Sequence, residues 1–461
     1  MGKAVRSRTR VGVFIVCALI FVAACGSSKK ASPATTAAAA TTTAAAPATT
    51  AAPATTAAAA TTTAAPASTA PAVKDTIKIG VAVPDLSAFE AASKAFGVGD
   101  PQEQATAMLD GWKSSGAVPV NGHDIEFVYR KYSVIVDDEK LAACTGFAQE
   151  DKVVAVIGGR DFGVGAQCLA QRFNIPTIDV NSVPTSVFTT NGKAYFTLRS
   201  DQDVLFKQFI DWADAGGYLK DKKIGVAFSD DNTEAYNVAK AELTAKGYTV
   251  ASEIQTTGAG VGSDQDTVAA QKFQTDKADL LLLFVGGSSV INILSAANGQ
   301  GYTPKVLDLD VSEHTTDVLA GILPGAIYGD TLAMTGSREG DLGRDKKLGT
   351  EGEKCLSNYE SFSGKSIPRT SPEPSGEFTN ILITCDVANL MLKAIGNAGA
   401  TVDGPAIIKG FEGISDMAMA STGNVTFSAS DHWGVHEYRT IKFSEDCHCW
   451  VAQDDFKKFG S

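Results

Sequence analysis

The residues able to do chemistry in this chain gather in turns that follow short apolar runs. The run VVAVI ends in Gly158-Gly159-Arg160-Asp161-Phe162-Gly163. Glycines there admit a close backbone approach, and a helix starting just beyond would turn its free amides and positive dipole end toward an anion. The turn is no dinucleotide fingerprint, because its glycines miss the G-x-G-x-x-G register and no ribose-binding acid is placed after it. Further on, Asn181 and Ser182 offer an amide and a hydroxyl, with ordinary turn chemistry as the alternative. Ser87 ends the first run, and Asp230, Asn232 and Tyr236 follow KIGVAF. Ser288 follows ADLLLLFV, and Asp310 follows PKVL, with Asp308 and Glu313 nearby. A carboxylate there could pair with a cationic group of a ligand, and Asp310 is the choice; a solvated loop carboxylate is the alternative.

Catalysis finds no support. The five histidines (His123, His314, His432, His436, His448) accompany neither G-x-S-x-G nor H-E-x-x-H, so no catalytic residue and no cofactor is assigned. Gly258 to Ser263 is glycine-rich but lacks the lysine of a P-loop. A rival reading is a metal-binding lipoprotein using His432, His436, Cys447 and Cys449, a soft-ligand set suited to zinc. It requires reduced thiols.

Eight cysteines are present. Cys17 lies inside an apolar N-terminal run and Cys25 ends it, which leaves Cys144, Cys168, Cys355, Cys385, Cys447 and Cys449. In an oxidising setting six cysteines favour three disulfides with 15 connectivities open. The preferred set joins nearest neighbours: Cys144 with Cys168, Cys355 with Cys385, and Cys447 with Cys449.

The N-terminal run itself is a targeting segment. Lys3, Arg6, Arg8 and Arg10 precede an apolar stretch from Val11 to Ala24 that is short for a membrane span. Its end, Val22-Ala23-Ala24-Cys25-Gly26, resembles the lipobox of bacterial lipoproteins, which makes Cys25 the lipid-bearing first residue of the mature chain. No other stretch reads as apolar over the ~20 residues a spanning helix needs. Residues 31 to 72 contain only Ala, Thr, Pro and Ser, and PATTAAAATTTAA occurs at both Pro33 and Pro53. With no large apolar side chain to bury, this tract is expected to be a disordered tether. Six of the 40 basic residues lie in the first 30 positions, leaving 34 against 52 acids, a net of −18. That balance argues against nucleic acid as a partner, and the membrane is reached through lipid alone.

Elements that could position these turns come in alternation. TIKIGVAV, IEFVY, VVAVIGG, IPTIDV and AYFTL, then KIGVAF, YTVASEI, ADLLLLFVGG and PKVLDLD are near-continuous apolar strands, the mark of parallel sheets covered on both faces. Amphipathic stretches such as Asp137 to Glu150, Asp201 to Gly216, Thr233 to Lys246 and Ser289 to Gly299 have the length of crossover helices. The fold class is α/β, with two doubly wound lobes.

IKIGVAVPDLS, VVAVIGGRDFGVGAQCLAQRFNIPTIDV, KIGVAFSDDNTEAYNVAKAELTAKGYTV and ADLLLLFVGG, in this order and spacing, resemble the leucine/isoleucine/valine-binding family of type I periplasmic binding proteins. CDVANLMLKAIGNAGATVDGPAIIKGF looks like that family's closing helix pair, and GNVTFSASDHWGVHEYRTIKF like its terminal crossing strands. The resemblance implies a ligand site formed by Ser87, Gly159, Arg160, Asp161, Phe162, Asn181, Ser182, Asp230, Asn232, Tyr236, Ser288 and Asp310. Carboxylate contacts would fall in the Gly159 loop, although Asp161 departs from the serine- or threonine-rich pattern there. It further implies a signal peptide (1–24), a lipidated tether (25–73), a first lobe (74–198 and 333–432) and a second lobe (199–332 and 433–461), with chain crossings near 198–203, 330–332 and 431–434. The expected function is an extracytoplasmic lipoprotein on the outer face of the cytoplasmic membrane. It would capture a small polar solute, an amino acid or amide, for an ABC transporter permease. A ligand-sensing or cell-envelope lipoprotein on the same fold is the alternative.

Because acylation of Cys25 is the anchor this sequence offers, Cys25→Ala is expected to release or misprocess the protein. Membrane fractionation checks it, and full retention of an unlipidated variant contradicts the assignment.

Overall fold

The computed structural model describes residues 75–87, 96–257, 264–311, 315–373 and 375–460. Cys25, the tether, the glycine-rich loop at 258–263, Glu313 and His314 lie outside the described residues.

Two sheets carry the fold. The first contains β1 (Asp75–Asp85), β2 (His123–Ser133), β3 (Ala155–Ile157), β4 (Thr177–Asp179) and β5 (Tyr195–Thr197) in the order β2-β1-β3-β4-β5, parallel throughout. In the second, β6 (Ile224–Ser229), β7 (Val250–Thr256), β8 (Leu280–Phe284), β9 (Lys305–Leu309) and β10 (Leu332–Thr335) run parallel in the order β10-β9-β8-β6-β7. β11 (Glu437–Ser444) and β12 (Cys449–Ala452) extend it antiparallel, and the short β13 (Lys457–Lys458) pairs with β11.

Near-continuous apolar strands need helices on both faces. Gly80 in β1 shows how closely they pack: a Cβ there would lie 2.8 Å from the Phe147 ring and 2.9 Å from Val156. Helices begin where the chain supplies an acceptor. Asp100 accepts from the amides of Gln102 and Glu103 ahead of helix Pro101–Ser115, and Asp201 does so from Asp203 and Val204 ahead of helix Gln202–Ala215.

Helix Gly376–Ala398 corrects one expectation. Over an 18-residue stretch of its 23 residues the mean hydropathy is 1.3, long and apolar enough to cross a membrane by that measure, yet 72% of that stretch is buried inside the protein. Phe378, Ile381, Leu390 and Met391 sit in the first lobe's core, so this is a core helix whose apolarity serves packing.

The three disulfides join Cys144 to Cys168, Cys355 to Cys385 and Cys447 to Cys449. The first two close loops spanning 24 and 30 residues, for which the chain-entropy relation gives about 3–4 kcal/mol each. The third, spanning two residues, constrains little beyond its own turn. Its formation consumes both thiols of the metal-binding alternative.

Crossings between the sheets lie side by side. Leaving β5, Thr197 donates to the His432 carbonyl at 3.0 Å, Gly434 donates back to Arg199 at 3.1 Å, and the Ser200 hydroxyl donates to Val435 at 2.6 Å. The expected crossing at 330–332 moves, because Leu332 to Met334 pair with β9 and keep the chain in the second sheet. It leaves after Thr335, where Gly423 donates to Gly336 and Arg338 donates to Ser421.

Candidate functional site

In a sheet ordered β2-β1-β3-β4-β5, the chain leaves β1 toward one side and β3 toward the other, which opens a crevice at their carboxyl ends. A cavity of about 150 Å³ occupies this crevice. Val81 and Ala82 of β1, Ile157 of β3 and Val180 beyond β4 form its floor, and Ile383 and Val387 of helix Gly376–Ala398 face them. Along one rim runs a polar chain. Arg160 donates to the Asn380 side chain at 3.0 Å, Asn380 donates to the Val98 carbonyl at 3.0 Å, and Gln104 donates to that carbonyl at 3.3 Å. Gly159 has to be glycine, since a Cβ would stand 2.5 Å from the Ala82 carbonyl oxygen.

The corresponding point of the second sheet lies between β6 and β8, and it is plugged. The Asn232 amide donates to the Phe284 carbonyl at 3.0 Å, and its oxygen accepts from Gln202 at 2.6 Å. Phe228 and Tyr236 stack beneath with centroids 4.1 Å apart.

The carboxyl edges of the two sheets converge. Ser186, past β4, donates to Glu234, past β6, at 2.6 Å, and an Arg199 guanidinium nitrogen lies 3.9 Å from an Asp310 carboxylate oxygen. Of the residues singled out from sequence, Gly159 and Arg160 line the first-lobe cavity, with Asn181 and Ser182 half-buried just beyond Val180. Asn181 donates to the Asp179 carboxylate at 3.2 Å. Ser87 is exposed, its amide turned onto Asp85, and Asp161 is exposed on the turn at a φ of 58°. Asp230 is exposed and Ser288 half-buried at the second sheet's edge.

Three candidates leave the set. Phe162 is fully buried against Tyr132, Tyr236 is buried with its hydroxyl on Glu253, and Asn232 is the plug just described. Each is consumed by its own lobe because an aromatic or amide beneath a loop stabilises it by burial or by pairing a backbone group. One carboxylate oxygen of Asp310 accepts from the Thr335 hydroxyl at 2.7 Å and lies 3.9 Å from Arg199, while the other is buried without a hydrogen-bond partner. The histidine half of the metal alternative is dispersed. His432 stacks on Phe196 with centroids 4.2 Å apart, and His436 stacks on Trp433 at 3.8 Å. Among the described residues no group of His, Cys, Asp and Glu is placed to hold a metal.

Sequence reading missed the carboxyls that bind the crossings. Asp386, inside the core helix, accepts from the Ala420 and Ser421 amides at 2.7 Å each and from the Ser421 hydroxyl at 2.6 Å, and burial raises its pKa to about 6. Asp317 accepts from the amides of Trp450 at 2.6 Å and Glu373 at 3.1 Å, tying β12 to the segment entering the core helix. Beside it stand Glu373 and Glu339. Burial, then the neighbouring Asp317 charge, pushes Glu373 up to about 8; burial, then the charge of Glu373, raises Glu339. An acid at mid-helix in an apolar stretch, such as Asp386, was the readable signal.

Two parallel lobes with facing carboxyl edges and three laced crossings define a type I periplasmic binding protein. The chain matches the family described as periplasmic binding protein over residues 76–447 and belongs to it. Among solved structures, a solute-binding protein of an ABC transporter from Rhodopseudomonas palustris BisB5, in complex with 3,4-dihydroxybenzoic acid, is similar at 17% identity and a TM-score of 0.64. That match covers 83% of this chain and 98% of the other. A leucine-binding protein from Thermotoga maritima is similar at 16% identity and a TM-score of 0.61, over 83% and 99% of the two chains. A branched-chain amino acid ABC transporter protein from Thermus thermophilus, with bound valine, gives 14% and 0.63 over 84% and 98%. No curated protein matches the chain in sequence.

Glu373 carries a pH prediction. Its folded-state pKa, about 8, lies above the 4.5 of an ordinary glutamate, so the fold binds that proton more tightly than the unfolded chain. Its contribution is complete below pH 4.5 and is lost as pH rises to about 8. Glu373→Gln is expected to flatten the fall of melting temperature across that window and to raise it at pH 8. An unchanged slope contradicts the assignment.

Proposed function

We propose that this protein is an extracytoplasmic lipoprotein, anchored through Cys25, that captures a small organic solute between its lobes and delivers it to an ABC transporter permease. One observation carries the reading: the carboxyl edges of both sheets, where open α/β sheets bind ligands, face each other across three adjacent crossings. Gly159, Arg160, Asn181 and Ser182 supply donors from one side, and Asp230, Ser288 and Asp310 supply polar groups from the other.

Lobes joined only by short laced segments rotate with little change in either core. Closure removes water from the solute, so each hydrogen bond to it acts in a lower dielectric and strengthens. A permease that recognises both lobes in their closed setting reads occupancy. The family membership supports this role, as do the small ligands of the similar proteins, valine in one and a dihydroxybenzoate in another.

Thermal-shift screening of the protein against amino acids, amides, organic acids, polyamines and sugars tests it. A solute that binds only the folded state at 100 times its Kd adds about 2.7 kcal/mol of stability. At least one class is expected to raise the melting temperature, and Ser182→Ala is expected to weaken that solute about tenfold, the scale of one hydrogen bond lost to a desolvated ligand. No shift from any class contradicts the proposal.

A further inference from the structure

We infer that a proton shared by the carboxyls of Glu339 and Glu373 holds the two lobes together at the third crossing, so that the setting of the lobes, and with it solute capture, is linked to pH. The inference rests on the proposed function and names a regulation of the same cleft.

Glu373 belongs to one lobe and is gripped by the other. It leads into helix Gly376–Ala398 of the first lobe's core, and Thr379 of that helix donates to one of its carboxyl oxygens at 2.7 Å. Its amide donates to the Asp317 carboxylate at 3.1 Å, and the Ser371 hydroxyl donates to the same oxygen at 3.4 Å. Asp317 is a second-lobe residue, since it opens a short helix after β9 and accepts from Trp450 of β12. Glu339 is fixed from the second lobe as well. Its carboxylate accepts from the Asp317 amide at 3.3 Å, and its carbonyl accepts from Arg439 of β11 at 2.6 Å.

The two glutamates meet where the lobes meet. Glu373 is 6% exposed, and its second carboxyl oxygen is buried without a hydrogen-bond partner of ordinary geometry. The Glu339 carboxyl stands within hydrogen-bond reach of Glu373, and the Val318 amide acts on it as well. Two carboxylates so placed repel. One proton between them turns that repulsion into a charge-assisted hydrogen bond.

Among the described residues, the other charged groups facing this pair are Asp317, Asp310, Arg199, Arg338 and Asp341. The first two add negative charge to Glu339. Arg199 lies 3.9 Å from Asp310, and Arg338 donates to the Met419 carbonyl at 3.0 Å and to Asp341 at 3.4 Å. Asp341 is itself paired with Arg439. A cavity of about 40 Å³, lined by Asp317, Glu339 and Glu373, has room for a water through which the proton exchanges.

Position sets the direction of the effect. Asp310 and Asp317 follow the carboxyl end of β9, and Glu339 follows that of β10, so the cluster lies on the cleft side of the second sheet. Loss of the proton there pushes the facing lobes apart. Once apart, both carboxyls reach water and return toward the 4.5 of an ordinary glutamate, whereas burial and then the Asp317 charge hold Glu373 at about 8 while the lobes are together. The proton's contribution to closure is therefore complete below pH 4.5 and is lost as pH rises to about 8.

Small-angle X-ray scattering of the unliganded mature protein at about pH 6 and about pH 9, either side of that value, tests the inference without a solute. Residues 31 to 72 of the tether carry no ionisable side chain, so their share of the scattering is the same at both. The radius of gyration is expected to be larger at the higher pH with an unchanged far-ultraviolet circular dichroism spectrum. Glu373→Gln and Glu339→Gln, each of which leaves a single carboxylate facing an amide, are each expected to abolish that difference. If one variant folds poorly, the other and the unmutated protein decide the matter. A radius that does not respond to pH overturns the inference, as does a response that survives in the glutamine variants or one accompanied by loss of helical signal. The solute-receptor reading stands through all three outcomes, because the thermal-shift screen tests it separately.

Discussion

Parallel strands joined by right-handed crossovers must reverse direction somewhere if the sheet is to grow on both sides of its first strand. In the first lobe that reversal falls between β1 and β3, in the second between β6 and β8. At each, the loops part. The gap has to be filled by the protein or left for something else, and the position of nearly every candidate residue follows from which of these happened. Asn232, Tyr236 and Phe228 close one gap. Gly159, with backbone and a tyrosine hydroxyl within 2.7 Å of any added Cβ, keeps the floor of the other low enough to leave space above it.

The crossings depend on a second kind of constraint, buried carboxyls that pair backbone amides with no partner in either sheet. Asp386 holds Ala420 and Ser421, Asp317 holds Trp450 and Glu373, and Asp201 caps the first helix of the second lobe while accepting from Thr185. Such groups cost desolvation and return it through several hydrogen bonds each. They tie down the ends of the crossings and leave rotation between the lobes to a few dihedrals. The pKa values of Asp317 and Asp386, both raised to about 6 by burial, reflect the same desolvation.

Sequence reading recovered the sheets because buried parallel strands are nearly continuous apolar runs, as in ADLLLLFV and KIGVAF. It placed a crossing at Asp330 to Leu332 because the strand Leu332–Thr335 is only four residues long and carries no long apolar run. Turn residues were legible as turns, but whether a side chain points into the cleft or beneath its own loop is set by tertiary packing. Phe162 and Tyr236 therefore read as ligand groups and proved to be core. The cavity's far wall was invisible for a related reason. It comes from helix Gly376–Ala398, more than 200 residues from the Gly159 turn, where Asn380 and Thr384 form a polar stripe on an otherwise apolar helix. Arg199 stood in LRSDQD as a marker of a lobe boundary. Its partnership with Asp310 joins residues 111 positions apart, and no local pattern encodes it.

The central claim is that one solute is held between two lobes that close on it. Small-angle X-ray scattering of the protein with and without a saturating solute, with binding established independently by calorimetry, tests this most directly. The account predicts a smaller radius of gyration and a shorter maximum dimension in the bound protein. A solute that binds tightly while both quantities stay unchanged would contradict it.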